Sequence, residues 1–140
     1  MRNRTLAVDY VQRAAARLRA IDALYDAASW ADVVRESQEA VELTLKGLLR
    51  AAGVDPPRVH DVAEVLEAER SRLPTSLADD IDRLAAISRA LRRDRELAFY
   101  GAEDLTPSEF YRERDADEAR DAARLVVELV RPHVPTENSG

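Results

Sequence analysis

Cysteine is absent from the 140 residues, which excludes disulfides, thiolate metal sites and thiol nucleophiles together. Histidine occurs only as His60 and His133, too few to build a histidine metal centre. Aromatic residues make up 5% of the chain, and the four glycines form no phosphate-cradling loop. No paired carboxylate motif for a metal and no serine-nucleophile elbow is present. Neither a metal nor an organic cofactor is therefore expected. No apolar run approaches the roughly 20 residues that cross a bilayer. The start, Met1-Arg2-Asn3-Arg4, is basic but leads into a charged helical pattern instead of the apolar core of a signal peptide. A cytoplasmic protein without membrane contact is the expectation.

What is present is 46% apolar and 34% charged residues, with alanine and leucine prominent, a composition that favours helix and suffices for one buried core. The formal net charge is −6, the wrong sign for a protein that wraps nucleic acid along its whole surface. Any contact with phosphate must come from a local basic patch.

Apolar residues recur at steps of three and four in five segments. The first runs from about Thr5 to Ala28 through Leu6, Tyr10, Ala14, Leu18, Ile21, Tyr25 and Ala28. Ser29 can cap a second, which carries Trp30, Val33, Val34, Val41, Leu45, Leu48 and Leu49 inward and stops at Gly53 before Asp55-Pro56-Pro57. A third, short helix is expected from roughly His60 to Arg72. Pro74-Thr75-Ser76 then offers caps for a fourth, with Leu77, Ile81, Leu84, Ile87 and Leu91 inward, ending before Gly101, which suits a left-handed cap. Thr106-Pro107-Ser108-Glu109 has the form of a capping box that starts either a short turn or the last helix. The last helix holds Ala119, Ala122, Ala123, Val126, Val127 and Val130. No segment alternates with period two. The fold class is all-α, an up-and-down antiparallel bundle of four to five helices, with residues 1–134 as a single domain and 135–140 as a flexible C-terminal tail.

Three constellations stand out. Gln38, Glu42 and Lys46 fall on one line of the second helix, where Glu42 and Lys46 are placed for an i,i+4 ion pair on a solvated face. Lys46 is also the only lysine in a chain whose other basic residues are all arginine. A compact ammonium retained at one position points to a geometric requirement there. His60-Asp61 opens the third helix, where Asp61 complements the helix dipole and His60 either packs structurally or faces a ligand. The segment from Arg89 to Tyr100 holds four arginines within seven residues, Arg89, Arg92, Arg93 and Arg95, the one basic patch of an acidic chain. Arg95 continues the apolar line of the fourth helix, so it either pairs with an internal carboxylate or lines a ligand cleft.

Three pieces, in this order and spacing, resemble the HEPN domain family over about Leu6 to Val130. They are Gln38-x3-Glu42-x3-Lys46-Gly47-Leu48-Leu49, His60-Asp61-Val62, and Arg95-x2-Ala98-x-Tyr100-Gly101 ahead of an alanine-rich last helix. In the ribonucleases of that family four to six residues separate an arginine from a histidine on the fourth helix, and a tyrosine often follows two residues after the histidine. Matching Tyr100 to that tyrosine puts Arg93 on the arginine and Ala98 on the histidine. No histidine lies between Arg89 and His133, so no shift of register restores the motif, and the general acid or base of metal-free RNA cleavage is missing. The resemblance thus implies the non-ribonuclease branch. It further implies a homodimer with a shared cleft, a nucleotide or RNA ligand, and association with a minimal nucleotidyltransferase of the toxin–antitoxin kind. Arg92, Arg93, Arg95, Tyr100, Lys46, Glu42 and His60 are the candidate ligand-binding residues, and none is assigned a catalytic role. Two alternatives stand beside this one: a ribonuclease toxin using His60 at a non-standard site, and a structural helical adaptor whose arginines pair internally.

Overall fold

The three-and-four spacing of apolar residues closes into helices throughout. A computed structural model describes residues 2–58, 61–100 and 106–134, with the backbone alone at 2, 94–100 and 107. In chain order it contains α1 (Arg2–Asp26), α2 (Trp30–Ala51), α3 (Val62–Ala68), α4 (Ile81–Tyr100), α5 (Pro107–Phe110) and α6 (Glu113–Val130). Single 3-10 segments lie at Arg70–Arg72, Thr75–Asp80 and Arg131–His133. No strand occurs among the described residues.

The four long helices alternate in direction. α1 and α2 are an antiparallel pair: Tyr25 meets Trp30 near the turn, and Arg50 donates to Asn3 at 2.9 Å at the far end. Midway, Arg17 donates to Glu36 at 2.6 Å. α6 runs back along α1, bringing Glu113 to Tyr25 and Arg124 to Asp22. α4 is antiparallel to α6: Ser76, just ahead of α4, lies 3.5 Å from His133, while Ile87 and Leu91 line a groove with Asp115 and Ala119. Ile21, Leu45, Leu48, Leu49, Leu66, Leu77, Ile81 and Leu84 fill the space between, each less than 2% exposed. This is the up-and-down bundle expected from the pattern, with α3 and the 3-10 segments threaded through the α2-to-α4 connection.

Local chemistry explains the boundaries. α2 ends in a Schellman motif: Gly53 takes φ +78°, its N–H bonds Arg50 O at 3.0 Å, and Val54 N–H bonds Leu49 O at 2.9 Å. Thr106 caps the turn of α5, its hydroxyl accepting from Glu109 N–H at 3.3 Å. α6 starts separately, with Asp115 reaching back to accept from Arg112 N–H at 2.9 Å.

Four expectations need correction. α1 ends at Asp26, and Ala28 is exposed at φ +57° in the turn instead of extending the apolar face. The face α1 buries is Ala7, Val8, Val11, Ala14 and Ile21, with Leu6, Tyr10, Leu18 and Tyr25 only half-buried beside it. The reason lies across the interface. A Cβ on Gly47 would stand 2.9 Å from Val11 Cγ2 and 3.2 Å from Ala7 O, so α1 approaches α2 with small residues at the contact. The third helix begins at Val62, not His60, because Asp61 is its N-cap, and its α-helical part ends at Ala68. The turn after Pro74 is 3-10 as far as Asp80, so Leu77 is buried from that segment and not from α4 proper. The expectations for Gly101 and for the tail at 135–140 lie outside the described residues.

Candidate functional site

Asp61 draws two of the three constellations together. Its Oδ1 accepts from Ala63 N–H at 3.0 Å, the N-cap bond of α3. The same carboxylate faces α4, where Oδ2 lies 3.4 Å from Arg89 and Oδ1 lies 3.9 Å from Arg92. Arg89 and Arg92 are three apart and share one face of α4, and Glu67, at the other end of α3, also pairs with Arg89. Glu67 is the main cause, with Asp61 adding to it, of an Arg89 guanidinium held above its ordinary range. Farther along, Arg70 pairs with Asp82, so α3 and its 3-10 extension lie along α4 as an acidic and basic strap.

Arg93 points elsewhere. It is exposed and makes no ion pair among the described residues. Arg95, Ala98 and Tyr100 continue α4, but their side chains lie outside the described atoms, as His60 lies outside the described residues. Of the basic run, Arg89 and Arg92 are thus held by carboxylates and Arg93 is presented to solvent.

The line on α2 is not a solvated face. Gln38 is 2% exposed in the core, and Glu42 and Lys46 are half-buried. Neither Glu42 nor Lys46 makes an ion pair among the described residues, so the expected i,i+4 bridge is absent. Gly47 looks straight at α1, which turns Lys46 and Glu42 roughly 100° and 140° away from that contact.

The remaining polar clusters are structural. Between α1 and α6, the Arg120 guanidinium stacks 3.7 Å above the Tyr25 ring, Tyr25 meets Trp30 edge-on, and Asp22 accepts from Arg124 at 2.6 Å. Hydrogen bonding to Asp117, with desolvation and Glu113 adding to it, pushes the Tyr25 phenol up from 10.0 to about 12. His133 sits where two shallow pockets meet at the end of the bundle, one of about 330 Å³ beside Arg4 and Ala51, the other of about 200 Å³ beside Leu48 and Arg72. No group of three or more metal-ligating side chains occurs among the described residues. None of their helices is long and apolar enough to cross a membrane.

The carboxylate hub was the part of the site that sequence reasoning missed. From the sequence Asp61 is only a partner of the helix dipole, and nothing singles out Glu67. Arg89 and Arg92 at i,i+3, opposite a helix that opens and closes on acids, was the available signal.

Comparison with known proteins adds one positive finding: the family model of the HEPN domain matches residues 7–133. No curated protein and no solved structure matches the chain.

Proposed function

The chain belongs to the HEPN domain family, and from that premise we propose that it is a cytoplasmic binding module for the phosphate groups of a nucleotide or nucleic acid, without ribonuclease activity. The observation that carries this reading is the division of labour on α4. Arg93 is exposed beside Arg92 and makes no ion pair among the described residues, on the one basic stretch of a chain whose net charge is −6. Arg92, Arg93, Arg95 and Lys46 are the cations this reading assigns to the ligand, with Glu42, Tyr100 and His60 as its further candidates. Lys46, half-buried and without an ion pair among the described residues, supports it as well. Ala98 stands where the family's ribonucleases hold a histidine, so the chain keeps cations suited to RNA but lacks the proton-transfer group for cleavage. A homodimer would set two copies of the arginine stretch in one cleft and focus positive potential despite the acidic total. A minimal nucleotidyltransferase is the protein partner that fits the resemblance.

The test is binding of ATP and of a short fluorescent single-stranded RNA to wild type and to the Arg92→Glu/Arg93→Glu variant. The reading predicts an affinity that falls at least tenfold on charge reversal. It also predicts an RNA affinity that weakens with salt by a slope of about 0.7 per phosphate contact. Equal binding by both proteins, or none by either, would refute it.

A second reading has its own observation. Arg89 and Arg92 both pair inside the chain, as they would in a helical adaptor whose arginines only brace α3 against α4. In that case charge reversal disturbs thermal stability and leaves every binding measurement unchanged.

A further inference from the structure

The pairing of Arg89 and Arg92 is unusual in what supplies it. One carboxylate, Asp61, touches both arginines while its Oδ1 also caps α3, and Glu67 takes another nitrogen of Arg89. Two guanidinium groups converging on the two oxygens of one carboxylate form the arrangement that binds a phosphate oxygen pair. All four side chains are partly open to water: Arg89 is 48% exposed, Arg92 39%, Glu67 37% and Asp61 28%. Ion pairs this exposed are individually weak and exchangeable. A terminal phosphate brings nearly two charges and three acceptor oxygens to the same nitrogens where each carboxylate brings one and two, and a backbone phosphodiester, equal to one carboxylate, gains from its neighbours along the strand.

We infer that Asp61 and Glu67 are intramolecular competitors for the phosphate site on α4, occupying Arg89 and Arg92 until a phosphate ester displaces them. This adds Arg89 to the anion-binding residues and makes α3 a built-in brake on affinity, and it rests on the phosphate-binding function proposed above. The exchange does not require α3 to unfold. The cap bond from Ala63 uses Oδ1, whereas the closest arginine contact uses Oδ2, so the carboxylate can release Arg89 and keep its helix. The chemistry selected is that of a phosphate ester, whether from a free nucleotide or from an RNA backbone.

The variant that isolates the brake is Asp61→Asn/Glu67→Gln. Asparagine caps a helix as well as aspartate does, so α3 keeps its N-terminal bond while the competing charge is removed. Glu67→Gln alone, a change at a surface position, serves as a second, milder variant. Binding is measured by anisotropy with a fluorescent ATP analogue and with a short fluorescent single-stranded RNA. Removal of several exposed ion pairs predicts an affinity gain of about fivefold for the double variant and a smaller gain for Glu67→Gln. Adding Arg89→Gln and Arg92→Gln to the double variant should abolish the gain. A gain for ATP and RNA alike marks a single-phosphate site, and a gain for RNA alone marks a backbone track; either supports the inference. Binding that is the same in wild type and both variants overturns the brake but leaves the phosphate-binding function standing. Absence of binding in every protein overturns both.

Discussion

Adding one methyl group at Gly47 tests the tightest contact of the bundle. Its Cβ would lie 2.9 Å from Val11 Cγ2 and 3.2 Å from Ala7 O, where carbon atoms prefer about 3.5–4.0 Å. Gly47→Ala therefore forces α1 and α2 apart or Val11 off its rotamer, a cost of about 1–3 kcal/mol for overpacking. Against that stands a gain of about 1 kcal/mol from replacing a mid-helix glycine by alanine. The net expectation is a loss of about 1 kcal/mol. Val11→Ala removes the clashing methyl but loses a side chain that is 4% exposed, for about 2 kcal/mol. The double variant should cost less than the sum, because alanine at 47 then meets only the Ala7 carbonyl; a coupling of about 1 kcal/mol is expected. Urea unfolding of the four proteins with a common m value measures it. Additivity within about 0.5 kcal/mol, or a Gly47→Ala protein more stable than wild type, would refute the close approach.

Ser37, fully buried on α2, has a hydroxyl without a hydrogen-bond partner among the described residues. Ser37→Ala should raise stability by about 1 kcal/mol in urea unfolding, from the relieved polar burial and the better helix former; a loss of stability would mean the hydroxyl is bonded. The Tyr25 phenol, pushed up to about 12, binds its proton more tightly folded than unfolded. Its stabilising share is complete below pH 10 and fades as pH rises towards about 12. Tyr25→Phe should remove the phenolate absorbance that appears near pH 12 and flatten that alkaline fall; a wild-type titration with no such late component would contradict the Asp117 and Glu113 contacts.

Helix existence was legible because it depends on local pattern. The stripes through Leu45 and Leu49 on α2, and through Ile81, Leu84 and Leu91 on α4, are buried as the spacing requires. Gly53 and Thr106 punctuate the chain where their chemistry demands. What escaped was set by residues distant in sequence. Leu6 and Tyr10 carry more apolar surface than Ala7 and Val8, so periodicity alone turned the α1 face towards them. Gly47, forty positions beyond Ala7, meets Ala7 and Val11 and so favours the face with the smaller residues. Gln38 looked like the start of a polar line and is instead buried. The basic stretch on α4 was visible in the sequence, and internal pairing of its arginines stood among the alternatives, but the carboxylates that supply it, Asp61 and Glu67, lie far from Arg89 in the chain. Arg89 and Arg93 are both exposed, and of the two only Arg93 makes no ion pair among the described residues.

The central claim is a HEPN domain that binds phosphate without cutting RNA, and the most direct measurement is an RNA-cleavage assay on the purified wild type with an Ala98→His variant alongside. The account predicts RNA that is bound and left intact by the wild type, whether or not the variant gains cleavage. Cleavage by the wild type that disappears in His60→Ala would contradict it and make the chain a ribonuclease.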